Sequence, residues 1–143
     1  MALAETCHKM YITTRSSLSP EIAGFSGKTI TVENGNYHLR PEVAESLYYL
    51  HYFTGDARYR RMAADIFNAI VKNCKTKYAF AEVEDVAEKK PVLINRMESF
   101  FVAETLKYLY LIFAPPGTVD LKRQVFNTEG HPLPIWKGRQ PSA

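Results

Sequence analysis

The segment NRMESFFVAETLKYLYLIF, residues 95–113, constrains the fold most, because its apolar residues run almost all the way round a helix. Pro115 and Pro116 follow it and end the helical pattern. A helix that is apolar on nearly every side is stable only when other elements cover most of its surface. The sequence therefore predicts a helix over 95–113 that is buried on most sides.

Three further helices are predicted, and one of them is clearly amphipathic. The first follows from the spacing of Leu3, Cys7, Met10 and Tyr11. The second, RPEVAESLYYLHYFT, has Pro41 in its first turn and ends at Gly55. Asp56 caps the third, ARYRRMAADIFNAIVKNCK, which is apolar on one face and charged on the other. This third helix is expected on an outer surface.

The connections between these helices contain short strands. KTITVENGN predicts a strand that runs into a turn, and YAFAEVEDV predicts a second short strand. The chain is therefore mainly α, with a small β-hairpin element. Inner and outer helical layers of this kind are typical of part of an α/α toroid.

Composition excludes several functional classes. The 143 residues are the size of one domain, and the net charge of +3 comes from scattered residues, which does not indicate nucleic-acid binding. No apolar run approaches the ~20 residues of a membrane span, and the N-terminus lacks the features of a signal peptide. The two cysteines, Cys7 and Cys74, allow one disulfide but form no Cys-x-x-Cys motif. The four histidines lack zinc-ligand spacing.

Carboxylates occur on the helices that are expected to be buried. Glu42 and Glu45 share one helical face, and Glu104 lies in the apolar segment 95–113. Burying a carboxylate is costly unless it is paired, hydrogen-bonded or metal-bound, so these residues indicate a polar pocket. The alternatives are ordinary: Glu42 near a helix start is favoured by the helix dipole, and Arg40 could pair with Glu42 or Glu45 instead of binding a ligand.

Three motifs carry a resemblance to a known family. LRPEVAESLYYL, MESFFVAETLKYLYLIF and FNTEGHPLPIW, in this order and spacing, closely resemble class I α-1,2-mannosidases, glycoside hydrolase family 47. The resemblance extends from Ala4 to Trp136. It implies a fold that is part of an (α/α)7 barrel, with a C-terminal segment that plugs the barrel. Residues 1–143 would then be the C-terminal portion of a family 47 catalytic domain.

The resemblance also implies roles for individual residues. Thr128 matches the threonine that binds Ca²⁺ through its hydroxyl and carbonyl oxygens, and Glu42 matches the usual candidate for the catalytic base. Family members invert configuration, so a base activates water while an acid serves the leaving oxygen. The remaining matches are expected to contact substrate or the waters around the metal: Arg40, Glu45, Phe100, Glu104 and Glu129.

Expectations about the whole protein follow from the same resemblance. The substrate would be high-mannose N-glycans on glycoproteins, in the ER or Golgi lumen or outside the cell. The family's general acid and the cysteine partner of Cys7 lie in earlier hairpins without a counterpart here, so the isolated chain is expected to have little or no activity. Two alternatives remain open: a mannose-binding protein of the ER-degradation-enhancing type, and a non-catalytic fragment.

Overall fold

A computed structural model describes residues 2–136 and shows a mainly helical chain with three two-stranded antiparallel sheets. The helices are α1 (Ala2–Ile12), α2 (Glu42–Thr54), α3 (Ala57–Cys74) and α4 (Lys107–Leu111), and α4 directly continues a π-helical segment, Phe101–Leu106. The strands pair in chain order: β1 (Ile22–Ser26) with β2 (Thr29–Asn34), β3 (Glu82–Val83) with β4 (Leu93–Ile94), and β5 (Gln124–Phe126) with β6 (Pro132–Pro134). The mainly helical class and the β-hairpin element are confirmed.

Helices α2 and α3 form a helical hairpin whose connection is only Gly55 and Asp56. Gly55 adopts a left-handed conformation with φ 67°, and its N–H donates to the carbonyl of His51. The Asp56 side chain accepts a hydrogen bond of 2.8 Å from the N–H of Arg58, which caps α3. Both predicted boundaries are confirmed, and the short connection makes the two helices pack side by side.

Helix α3 has the predicted outer face. It buries one stripe that comprises Tyr59, Ala63, Ile66, Ala69, Ile70 and Cys74. The opposite side carries exposed charged and polar residues: Arg60, Arg61, Asp65, Asn68 and Lys72. This helix therefore covers α2 from outside, and α2 packs in turn against α4.

The segment 95–113 differs from the prediction in two ways. Its helical part begins at Ser99 and continues through the π-helical segment into α4, and we call this whole stretch the last helix. Residues 95–98 lie before it. Only one face is buried, through Phe101 and Tyr108 among others, whereas Val102, Tyr110 and Phe113 are 56%, 64% and 42% exposed. The expectation of burial on most sides is thus wrong for the part of the chain that the structure describes, because no element within residues 2–136 covers this second face.

The first helix and the cysteines give mixed outcomes. Helix α1 buries Ala4 and Tyr11, but Leu3 is 75% exposed, so the predicted stripe is wrong at that residue. Cys7 and Cys74 are both free thiols, so they do not form the one disulfide that the composition allowed. Cys74 is completely buried against the core, and burial raises the pKa of its thiol to about 12. Among the described helices, none combines the length and apolarity that a membrane crossing requires.

Aromatic contacts attach the C-terminal segment to the helices. The ring of Phe126, at the end of β5, lies 5.4 Å from that of Tyr108 and 6.2 Å from that of Tyr48, measured between centroids. The N–H of Leu121 donates to the hydroxyl of Tyr52 at 3.1 Å. These contacts fix the segment on α2 and α4, immediately before the motif that begins at Asn127.

Candidate active site

Four carboxylates from three separate parts of the chain share one electrostatic environment. Glu42 and Glu45 lie in the first turn of α2, Glu104 lies in the π-helical segment, and Glu129 lies in the turn between β5 and β6. Burial raises the pKa of Glu104, and the negative charges of Glu45, Glu42 and Glu129 raise it further, in that order. The structure therefore brings together all four glutamates of the predicted site.

The sequence pattern predicted Glu45 in the middle of its helix, and the structure corrects this position. Helix α2 begins at Glu42, so Glu45 belongs to the first turn, where the helix dipole favours a carboxylate, and not to the middle of the helix. One of its oxygens accepts a hydrogen bond of 3.2 Å from the hydroxyl of Tyr108. Burial and the charge of Glu45 raise the pKa of Tyr108, so this phenol stays protonated and remains a donor. Sequence reasoning missed Tyr108, which reads as one more aromatic residue of an apolar helix.

Arg40 lies beside the carboxylates but is paired elsewhere. Its Nε is 2.9 Å from both carboxylate oxygens of Glu21, and its Nη2 is 2.6 Å from one of them. The suggested ion pair with Glu42 or Glu45 is therefore wrong. The hydrogen bonds that Arg40 donates to Glu21 raise the pKa of its guanidinium, and the nearby charge of Glu42 adds to this effect. About half of the Arg40 side chain is exposed, so part of it remains accessible to a ligand.

Phe100 lies at the start of the last helix, directly before the π-helical segment. It is partly buried, while its neighbour Phe101 is fully buried and packs against Phe80 with ring centroids 5.1 Å apart. The buried side chain of Phe101 therefore fixes the backbone next to Phe100. Phe100 itself remains partly exposed to solvent.

The motif Asn127–His131 forms a tight turn between β5 and β6. The side-chain oxygen of Asn127 accepts hydrogen bonds from the N–H groups of Glu129 at 3.1 Å and His131 at 2.8 Å. Thr128 and Glu129 lie at the exposed end of this turn. The asparagine of the motif therefore shapes the turn that presents its threonine and glutamate.

The turn is fixed to the last helix at Gly130. Lys107 Nζ donates to the carbonyl of Gly130 at 2.5 Å. Gly130 is buried and has φ 68°, and a Cβ atom there would lie 3.2 Å from the carbonyl oxygen of Ala103 and 3.3 Å from Cγ of Glu104. This close approach brings the turn against Glu104, and the charge of Lys107 lowers the pKa of Glu104 in part opposition to the surrounding carboxylates.

A second charged cluster, which the sequence did not reveal, lies next to these segments. Glu82 in β3 is completely buried and accepts hydrogen bonds from His38 and Arg96. The only sequence signal was a glutamate inside the apolar part of AFAEVEDV, a predicted strand. Its two partners are distant in the sequence, so the pattern alone could not identify them.

Direct metal coordination by clustered side chains is not evident in residues 2–136. No group of three or more His, Cys, Asp or Glu residues in that range is arranged to hold an ion. Glu42, Glu45 and Glu129 are thus near enough to act on the charge of Glu104, but the four glutamates do not form a group that could chelate an ion directly.

Comparisons with known proteins agree with the geometry. Residues 1–135 match the family described as glycosyl hydrolase family 47. Mannosyl-oligosaccharide 1,2-alpha-mannosidase IB of Mus musculus is 44% identical over 137 residues, which cover 93% of this chain and 21% of that protein. Mannosyl-oligosaccharide 1,2-alpha-mannosidase MNS3 of Arabidopsis thaliana is 41% identical over 154 residues, covering 93% and 25% of the two chains.

A solved structure extends the agreement to the fold. The alpha-1,2-mannosidase from Trichoderma reesei superposes with a TM-score of 0.87 at 33% sequence identity, over 94% of this chain and 33% of that chain. The chain thus spans about a fifth of the length of the Mus musculus relative and a third of this structure. Its helices and hairpins form part of an α/α barrel, and the chain belongs to glycosyl hydrolase family 47.

Proposed function

We propose that residues 1–143 are the C-terminal portion of the catalytic domain of an inverting α-1,2-mannosidase that removes terminal mannose from high-mannose N-glycans. The observation that carries this proposal is the convergence of Glu42, Glu45, Glu104 and Glu129, in which Gly130 brings the turn of Glu129 against Glu104. Burial and the charges of the other three carboxylates raise the pKa of Glu104. The relatives support the choice of substrate, since their names describe 1,2-alpha-mannosidases that act on mannosyl-oligosaccharides.

Glu42 is the proposed base. Its carboxylate lies in the first turn of α2, on the segment that also carries Arg40. It would accept a proton from the water that attacks the anomeric carbon on the face opposite to the leaving oxygen. Arg40 and Phe100 are both partly exposed and would contact the sugar, with the Phe100 ring packing against the pyranose.

The donor set fits calcium. Thr128 offers a hydroxyl and a carbonyl oxygen at the exposed end of its turn, and all the neighbouring charged donors are carboxylates. Ca²⁺ takes 6–8 oxygen ligands, waters among them, so carboxylates that cannot chelate directly can hold the ion's water ligands. When bound, the ion would supply positive charge that offsets part of the negative charge of the four glutamates and would orient two hydroxyls of the terminal mannose.

The site of action is proposed by the same reasoning. Substrates of this kind are attached to glycoproteins, so we place the protein in the ER or Golgi lumen or outside the cell. The isolated chain of 143 residues is expected to release little or no mannose, because the general acid that the family resemblance implies has no counterpart among these residues.

The test uses the full natural polypeptide. It should release mannose from a high-mannose oligosaccharide, and proton NMR of the first product should show the β anomer, as inversion requires. Glu42→Gln should abolish release while the melting temperature is retained. Glu88→Gln, at an exposed loop residue, is the matched control. Binding of the oligosaccharide by the unaltered protein without hydrolysis would instead support the mannose-binding alternative.

The metal is tested separately by Thr128→Val, which keeps the shape of the side chain and removes its hydroxyl. Calcium should raise the melting temperature of the unaltered protein, and EDTA should reverse the effect. The valine variant should need a higher calcium concentration for the same shift. An equal calcium response in both proteins would refute the assignment of Thr128 as a ligand.

A further inference from the structure

Glu82 is a completely buried carboxylate that the proposed chemistry does not use. One of its oxygens lies 2.5 Å from Nδ1 of His38, and the two oxygens lie 2.8 Å and 2.9 Å from Nη2 and Nε of Arg96. Burial acts to raise the pKa of this carboxyl, but the hydrogen bonds from Arg96 and His38 outweigh it and lower the pKa. Glu82 is therefore an ionised acceptor in a position where an unpaired charge would be very costly.

The two partners of Glu82 lie on the two segments that carry the candidate substrate contacts. His38 comes two residues before Arg40 and four before Glu42, in the loop that leads into α2. Arg96 comes four residues before Phe100, at the entrance to the last helix. His38 and Arg96 are 58 residues apart in the chain. Glu82 therefore links two segments that are distant in the sequence.

The backbone between His38 and Arg40 requires such support. Leu39 has φ 59°, in the left-handed region that residues other than glycine seldom adopt. Its side chain is completely buried, and its carbonyl accepts a hydrogen bond of 2.6 Å from the hydroxyl of Thr105, the neighbour of Glu104. A strained residue persists only where its surroundings fix it, and strain of this kind concentrates at functional sites. The conformation of Leu39 directs the chain toward Arg40 and Glu42.

We propose that Glu82 is a positioning residue that fixes the Arg40–Glu42 segment relative to Phe100 by bonding to His38 and Arg96 together. It acts through these partners and does not touch the sugar. The proposal rests on the proposed function for the roles of Glu42, Arg40 and Phe100. The bond network itself does not depend on that function.

The experiment is Glu82→Gln in the full natural polypeptide, because glutamine keeps the volume but replaces one acceptor oxygen with a donor. Misplacement of reacting groups by about 1 Å costs up to roughly 100-fold in rate, so kcat on an α-1,2-linked mannose oligosaccharide should fall about 10- to 100-fold. KM should rise as well, since Arg40 and Phe100 would shift. A merely structural role would reduce the active fraction, which lowers the apparent kcat and leaves KM unchanged.

Amide hydrogen exchange gives a readout that is independent of activity. Exchange should become faster in both residues 38–42 and residues 96–101 of the glutamine variant. Ile70→Val, a buried substitution in α3, is the control for general destabilisation and should leave KM and both segments as they are. If the unaltered protein hydrolyses no oligosaccharide, the proposed function fails while the exchange data still decide whether Glu82 joins the segments.

A second variant covers the case in which the buried substitution prevents folding. Arg96 is 55% exposed, so Arg96→Gln removes one of the two connections without opening the core. Faster exchange in residues 96–101 with a raised KM would support the proposal. Unchanged exchange and KM in this variant, or a response of Glu82→Gln equal to that of Ile70→Val, would overturn it.

Discussion

The hydrogen bond from Lys107 to Gly130 should hold the Asn127–His131 turn against the last helix. Lys107 Nζ lies 2.5 Å from the Gly130 carbonyl, and Gly130 is buried. A hydrogen bond from a charged donor contributes about 1.5–3 kcal/mol. Because Lys107 is partly exposed and solvent screens its charge, we take about 1–2 kcal/mol for the local stability of the turn. Lys107→Met retains the aliphatic stem and removes only the donor and its charge.

Amide hydrogen exchange measures this local stability directly. The N–H groups of residues 129, 130 and 131 are all hydrogen-bonded within the turn, so each reports its opening. Since 1.4 kcal/mol corresponds to a factor of ten, exchange at these amides should be about 5- to 30-fold faster in Lys107→Met. Lys122→Met, at an exposed lysine, is the control. Equal exchange in both variants would refute the argument that Lys107 fixes the turn.

Three further predictions concern buried groups. Glu104→Gln should raise the melting temperature of the metal-free protein at pH 7. Because the pKa of Glu104 is raised, its contribution to stability is present below about pH 4.5 and is lost as the pH rises through the folded-state pKa. Melting temperatures measured over a pH series test this, and a steeper loss of stability with pH in the variant would contradict the prediction. Thr105→Val should destabilise the fold by about 1–3 kcal/mol in urea titration because it leaves the buried Leu39 carbonyl without its donor, whereas Thr105→Ser should restore most of the stability. Cys74 should resist iodoacetamide at pH 8 in the native protein and react after denaturation, as peptide mass analysis would show, since burial raises its thiol pKa to about 12; rapid native alkylation would refute its placement in the core.

The features that sequence predicted well are those that depend on neighbours in the chain. Asp56 caps α3 through the N–H of Arg58 two residues away, and Gly55 ends α2 because only its own backbone has to adopt a positive φ. The apolar stripe of α3 follows from helical periodicity. Glu42, Glu45 and Glu104 were identified because carboxylates on apolar helices require an explanation, whereas Glu129 and the grouping of all four depended on family motifs.

The features that sequence missed depend on distant partners. An ion pair of Arg40 with Glu42 or Glu45 was one of the alternatives, but Arg40 pairs with Glu21 in the preceding loop, which periodicity cannot reveal. Glu82 was treated as part of a strand because alternation says nothing about His38 or Arg96. The burial of the segment 95–113 was overestimated for a related reason, since hydrophobicity shows that a surface needs a partner but not which element supplies it.

The groups around the four carboxylates share one feature, which is that each has a specific hydrogen-bond partner. Three groups beside the cluster have partners outside its four acids: Arg40 pairs with Glu21, the Leu39 carbonyl accepts from Thr105, and the Gly130 carbonyl accepts from Lys107. Within the cluster, Glu45 accepts a hydrogen bond from Tyr108. These bonds hold the surroundings of the cluster in place, and the positive charge of Lys107 acts to lower the pKa of Glu104. Burial and the negative charges of Glu45, Glu42 and Glu129 act in the opposite direction and raise that pKa on balance. Such a site costs stability when empty and gains most from a cation or a ring of sugar hydroxyls, so the calcium-dependent rise in melting temperature should exceed any gain from neutralising Glu104 alone.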